Sequence, residues 1–268
     1  MAIELISLFA NGPIQAPIIT RPFYEDWTFW QSFVALLALV LSQFPPLITF
    51  FRPGRLKLDL PTRLLVTHTY GNANVVLLIG LRNVGSREIQ VRSLSISVKR
   101  DKSEAFLLEA HQFENPGDSK LYLLVPFTIQ PGENWVRYYH FYRDLDRQTD
   151  KEVRDLRLAV ARQIRERRAK LPPNSTEIVD VDDTLSEPFK ELFERMFKWG
   201  PGEYEIELHI ETDPISASFS KQFRFTLFES DSEQLRDHVR EYKTGGGGIY
   251  WPGERVLGVS PTIIEVTR

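Results

Sequence analysis

The chain has no cysteine among its 268 residues. Disulfides, thiolate zinc sites and cysteine nucleophiles are therefore excluded, and a reducing compartment suits the fold. There is no excess of either charge: 33 basic residues stand against 36 acidic ones, a net of −3. That balance leaves no electrostatic footprint for nucleic acid, which is disfavoured as a partner. Histidine is scarce, and His68, His111, His140, His209 and His238 show no H-E-x-x-H spacing. The glycine run Gly245 to Gly248 is no phosphate loop, because the Lys and Ser/Thr that hold phosphate and Mg²⁺ do not follow it. No cofactor is expected.

What the chain does have is one long uncharged run. Thr28 to Phe51 contains no Asp, Glu, Lys or Arg over 24 residues. At ~1.5 Å per residue such a helix reaches about 36 Å, enough for a hydrocarbon core of ~30 Å. The run predicts a transmembrane helix over 27–51, preceded by an N-terminal tail of residues 1–26. Trp27 and Trp30 stand at one end, where indole rings favour the headgroup level. Leu37 and Leu41 lie in the apolar stretch, and Arg52 and Arg55 follow the other end. Pro45-Pro46 must break or kink the helix. Bases cluster after the run and only Arg21 closely precedes it, so the positive-inside rule places the C-terminal side in the cytosol. The expectation is a single-pass protein of the cell membrane carrying a cytosolic soluble domain.

From Leu56 the hydrophobic pattern changes to period two. Val75, Leu77, Ile79 and Leu81 point one way, and Val76 and Leu78, also apolar, point the other. Such a strand is predicted to be covered on both faces. In EIQVRSLSISVKR the buried parity switches between Val91 and Leu94, which predicts a β-bulge near Arg92-Ser93. Further strands are expected at 119–129 and 134–142. Residues 201–229 read as a hairpin, with Tyr204, Ile206, Leu208 and Ile210 alternating against acidic neighbours and Phe223, Phe225 and Leu227 returning inward.

The segments LIGLRNVGSREIQVRSLSISV, FTIQPGENW and GPGEYEIELHIETD resemble the immunoglobulin-like and fibronectin-III-like β-sandwich superfamily, here in an N-terminally anchored protein of bacterial type. The resemblance rests on Asn83-x-Gly85 as an early turn, Pro-Gly132-Glu before a later strand, and Gly202-x-Tyr204 as a tyrosine corner. It implies a mainly β fold: a sandwich over 56–229 with a helical insertion at 143–200. It is nearly silent on function.

The insertion has apolar residues at helical spacing, Val153, Leu156, Val160 and Ile164, and then a basic end, Arg165, Arg167, Arg168 and Lys170. Those bases are candidates for contact with a partner or anionic lipid. The competing reading pairs them with the acidic stretch Glu177, Asp180, Asp182, Asp183 and Glu187. A second helix is expected from Glu187 to Trp199 and a third from Asp231 to Tyr242. Within 230–268 a glycine hinge and a tail too apolar to be free follow that helix. The tail is expected to dock on the sandwich or on a partner.

Catalytic constellations are weak. Glu207, His209 and Glu211 share a strand face but lack the convergence of a metal site, and read as a polar face opposite Lys221 and Arg224. Asp180, Asp182 and Asp183 lack the Gly and final Glu of an EF-hand. Gly117-Asp118-Ser119 reads as a turn, and Ser218-x-x-Lys221 falls on a strand, where the two side chains diverge.

The expectation is therefore a membrane-tethered interaction module, an accessory, scaffold or sensor subunit, non-enzymatic, with another protein subunit as partner and self-association as a further option. One alternative is a membrane-bound hydrolase in which the three aspartates and a histidine converge. The other is a membrane-perturbing effector that oligomerises through 28–51 and is disabled by a charge at Leu37.

Overall fold

The structure, a computed structural model, describes residues 24, 27–43, 53–101, 103–118, 120–172, 175, 177–250 and 258–266. It divides into two units, Met1–Phe50 and Phe51–Arg268.

The first unit contributes helix α1, Trp27–Gln43. Alanine and leucine favour the helix and neither glycine nor proline interrupts it. Its 17 residues span about 25 Å at ~1.5 Å each, short of a ~30 Å hydrocarbon core. Among the described residues no helix is long and apolar enough to cross a membrane. The expected transmembrane helix over 27–51 is corrected accordingly, and with it the single-pass architecture and the orientation argument. The length deficit is the physical reason. Trp27, Trp30, Leu37 and Leu41 all sit exposed on α1. Trp30 Nε1 donates to the Tyr24 carbonyl at 2.8 Å and the ring packs edge-on against Phe29 and Phe33. The remainder of the expected span, with Arg52, lies outside the described residues.

Among the described residues the second unit is built on one antiparallel sheet of eleven strands. In chain order they are β1 (Leu56–Asp59), β2 (Leu65–Thr69), β3 (Asn72–Asn83), β4 (Ile89–Arg100), β5 (Phe106–Glu114), β6 (Leu121–Leu123), β7 (Phe127–Ile129), β8 (Asn134–Tyr142), β9 (Gly202–Asp213), β10 (Phe219–Leu227) and β11 (Ile264–Glu265). The pairing runs β1-β3-β8-β5-β4-β9-β10-β11, with β2 on β3, β6 on β5 and β7 on β4.

An immunoglobulin-like sandwich needs two separate sheets. Here β5 joins what would be the two layers: Phe106–Glu109 pair with β4, and Glu109–Glu114 pair with β8 across a register shift at Ala110/Gln112. The extra residue bends the strand, so the sheet stays continuous and curls into a half-barrel. The sandwich expectation is therefore corrected. No sequence pattern marked FLLEAHQFE as this shared strand.

The local signatures nonetheless make their bonds. Asn83 is fully buried; its Nδ2 donates to the Arg87 and Ile129 carbonyls at 2.7 and 3.0 Å, and its Oδ1 accepts from Gly85 N at 2.9 Å. Its carbonyl accepts from Gly132 N at 2.9 Å, so three of the signature residues meet in one knot. A Cβ on Gly85 would lie 2.6 Å from the Pro53 carbonyl oxygen and 2.7 Å from Arg55 N. Gly132 has φ +81°, a left-handed turn position that favours glycine. Tyr204 Oη donates to the Gly200 carbonyl at 2.7 Å, and burial pushes its phenol up to about 12. These are turn chemistries that one curled sheet satisfies as well as two layers do. The bulge read near Arg92-Ser93 is a register shift between Val91 and Ser93.

Inward side chains from both limbs make the main core, among them Leu77, Ile79, Ile96, Tyr139, Phe141, Leu208 and Phe225. A second core lies under the helices α2 (Arg147–Arg168) and α3 (Asp183–Met196) and joins Tyr70, Val160, Ile164, Phe189, Phe193 and Tyr242. A Cβ on Gly71, at φ +86°, would meet the Phe193 carbonyl oxygen at 2.5 Å, so α3 rests directly on the β2–β3 turn. Helix α4 (Glu229–Asp237) and a 3₁₀ turn over His238–Thr244 follow β10. The expected glycine hinge is packed: Gly245 and Gly246 are buried, and the Gly248 carbonyl accepts from Tyr70 Oη at 2.8 Å.

Candidate functional site

The two faces of β3 are both apolar, and the fold treats them differently. Val75, Leu77, Ile79 and Leu81 are buried in the core. Val76 and Leu78 point outward and are only half-buried, so the expected cover is complete on one face and partial on the other. The sheet register extends this outer face across four strands. One row runs Leu78, Tyr138, Glu114, Leu121, and the next runs Val76, His140, Gln112, Leu123. Directly opposed residues share a face with Cβ atoms about 5 Å apart, so the two rows form one surface. Tyr138 is 38 %, Leu121 54 % and Leu123 74 % exposed, and Val125 just beyond β6 is 65 % exposed.

A polar pair sits inside this apolar surface. His140 Nε2 lies 3.8 Å from Glu114 Oε2. Burial holds the His140 imidazole below its ordinary value, against the raising pull of Glu114. A cleft of about 660 Å³ opens beside it, lined by Asn72, Asn74, Gln112, Leu121, His140 and Tyr142 among others. Asn74 Oδ1 and His140 Nε2 are buried there without a hydrogen bond among the described residues. The arrangement offers apolar area, one polar atom able to accept and a histidine able to donate or accept. That is the chemistry of recognition.

The bases singled out in the insertion end α2. Arg165, Arg168 and Lys170 are exposed. Arg167 turns to the acidic stretch, donating to the Asp180 carbonyl at 2.6 Å and pairing with the Asp182 carboxylate. Asp182 N donates to Gln163 Oε1 at 2.8 Å, and Asp183 pairs with Lys243 at 3.0 Å. The aspartates thus face basic and amide partners instead of converging on a histidine, as the hydrolase alternative requires. Among the described residues no group of three His, Cys, Asp or Glu could hold a metal ion.

The remaining candidates take structural positions. His209 Nδ1 lies 2.8 Å from Ser220 Oγ, and Arg224 pairs with Glu205 at 2.8 Å. Lys221 does not share that face; it sits opposite Leu208 and pairs with Glu265. Ser218 Oγ accepts from Thr212 N at 2.8 Å in the turn before β10. Asp118 accepts from Tyr122 Oη at 3.0 Å, and Ser119 lies outside the described residues. The outer-face residues Glu114, Leu121, Leu123 and Tyr138 were not singled out in the sequence, and His140 was weighed there only for metal-ligand spacing. The available signal was the double apolar parity at Val76 and Leu78.

No family model matches the chain, and no curated protein matches it. Solved structures that match include the sporulation control protein Spo0M of Bacillus subtilis, at 12 % identity over 70 % of this chain, with a TM-score of 0.25. A protein from Archaeoglobus fulgidus matches at 8 % identity over 65 % of this chain and 98 % of its own, with a TM-score of 0.26. The chain spans 56 % of the length of Spo0M. Likenesses this loose carry no argument about fold or function.

Proposed function

We propose that the chain is a protein-interaction module, an accessory, scaffold or sensor subunit that takes up another protein subunit on the outer face of β3, β8, β5 and β6. The observation that carries this reading is the outward apolar set Val76, Leu78, Tyr138, Leu121 and Leu123 on one continuous surface. Burying a leucine side chain contributes roughly 1.5–3 kcal/mol relative to leaving it exposed, so a partner covering this face gains from each of them. The His140–Glu114 pair and the Asn74 carbonyl supply polar points that fix the partner's register. The role is binding, not catalysis, and membrane tethering forms no part of it.

The test compares co-purification from native extract by the full chain, by the double variant Leu121→Asp/Leu123→Asp, and by Ser95→Asp on the other limb. The reading expects one stoichiometric partner lost by the double variant and kept by Ser95→Asp. An identical partner set for all three chains would overturn it.

A further inference from the structure

The curled sheet has two outer edges, and one short segment closes the gap between them. Residues 258–266 lie first against β2 and then against β10. Val66 and Val259 exchange backbone hydrogen bonds at 2.8 and 2.9 Å. Leu64 N donates to the Pro261 carbonyl at 3.3 Å, and Ile263 N donates to the Thr62 carbonyl at 2.9 Å. The segment then moves to the other wall, where β11 sets Ile264 opposite Arg224 and Glu265 opposite Phe223. Val266 N donates to the Gln222 carbonyl at 3.1 Å.

The hold is mostly backbone. Side chains alternate, with Val259, Pro261 and Ile263 turned inward and Ser260, Thr262 and Ile264 exposed; of these only Val259 is fully buried. Both walls are strand edges whose backbone groups pair with any extended chain laid between them. What selects the occupant is a short list. A Cβ at Gly258 would lie 2.7 Å from the Val66 carbonyl oxygen. Val259 fills a buried position, and Glu265 reaches Lys221.

We propose that the slot between β2 and β10 is a strand-acceptor site that binds extended polypeptide in trans, its occupant being the 258–266 segment of a second copy of this chain. The three selecting features match this segment, and a backbone-held strand with one buried side chain exchanges between copies at little cost in contacts. Occupation by a second copy links two half-barrels through each other's closing strand. The inference is independent of the outer-face reading, which involves other strands.

The test uses the full chain and a labelled peptide of residues 258–268. Val259→Asp expels the chain's own segment and leaves both walls intact. This variant is expected to bind the peptide at least tenfold more tightly than the parent chain, and a scrambled peptide not at all. The parent is expected to dimerise with rising concentration in sedimentation, and excess peptide to return it to monomer. Glu265→Lys, at an exposed position paired with Lys221, repeats the binding comparison should Val259→Asp fail to fold. Equal binding of scrambled peptide, no peptide uptake by the folded variant, or a dimer indifferent to peptide would each overturn the proposal.

Discussion

One sheet presents two outer faces of opposite character. On the limb of β4, β9 and β10 the outward rows are polar: Ser95, His209 and Ser220 align, as do Ser97, Glu207 and Gln222, and Lys99, Glu205 and Arg224. On the limb of β3, β8, β5 and β6 the outward rows hold Val76, Leu78, Tyr138, Leu121 and Leu123. The polar face satisfies itself through cross-strand pairs such as Arg224–Glu205 and His209–Ser220. The apolar face has no equivalent means, since only burial satisfies a leucine. The proposed docking surface rests on this difference between the two faces.

The comparison breaks most directly along β3 itself. Leu77→Ala, on the inner face, is expected to cost about 2–5 kcal/mol by urea unfolding, the range for a buried leucine. Leu78→Ala, one residue on, is expected to cost less than Leu77→Ala in the isolated chain, because its side chain is only half-buried. Equal costs would mean the outer face is already covered.

The second effect is a pH dependence that belongs to neither outer face. His68 on β2 is buried between the sheet and α3; its Nδ1 accepts from Gly71 N at 3.2 Å, so Nε2 carries the proton and donates to the Leu235 carbonyl at 2.8 Å. Burial lowers its pKa from 6.5 to about 4. The unfolded chain therefore binds the proton more readily. The resulting stability is fully present above pH ~6.5 and falls as pH drops toward ~4, by on the order of 3 kcal/mol. Unfolding curves at pH 7 and pH 4 measure this, and His68→Gln is expected to flatten the difference.

Smaller still is the binding contrast between the faces. Each of Leu121→Asp and Leu123→Asp alone is expected to weaken partner binding about tenfold, or ~1.4 kcal/mol, with Ser95→Asp unchanged in the same titration. The smallest is at the start of β9, where Tyr204→Phe removes the bond to Gly200 and is expected to cost about 1 kcal/mol in thermal unfolding. That loss should be the same with either face covered or free.

Much of the strand pattern is legible in the sequence. The parity of Tyr204 to Ile210, the switch at Arg92-Ser93, and the turns at Asn83-x-Gly85 and Gly132 follow from local spacing and turn chemistry. Some of their hydrogen bonds are local, as from Gly85 N to Asn83 and from Tyr204 to Gly200, but the bonds from Asn83 to Ile129 and from Gly132 to Asn83 join distant segments. The basic end of α2 and the acidic stretch were legible as opposites, and Arg167–Asp182 joins them. The candidate site was only half legible. Val76 and Leu78 announced a second apolar face, but Leu121, Leu123, Tyr138 and His140 reach it from strands far apart in sequence. FLLEAHQFE has no clean alternation, because a bulge shifts its parity midway and each end pairs with a different neighbour.

Local sequence determined the alternation of β3, β4, β9 and β10, the turns at Asn83-x-Gly85 and Gly132, the helical spacing in α2, and that cysteine chemistry is excluded. Those outcomes depend on backbone sterics and on side-chain alternation, which act over a few residues. Tertiary structure alone decided that β5 joins two layers into one curled sheet, and that residues 258–266 bridge its edges. It also decided that one apolar face of β3 is buried while its reverse is only half-buried. Pairing partners are chosen by contacts between segments distant along the chain, and no local pattern encodes which strand edge another strand will find.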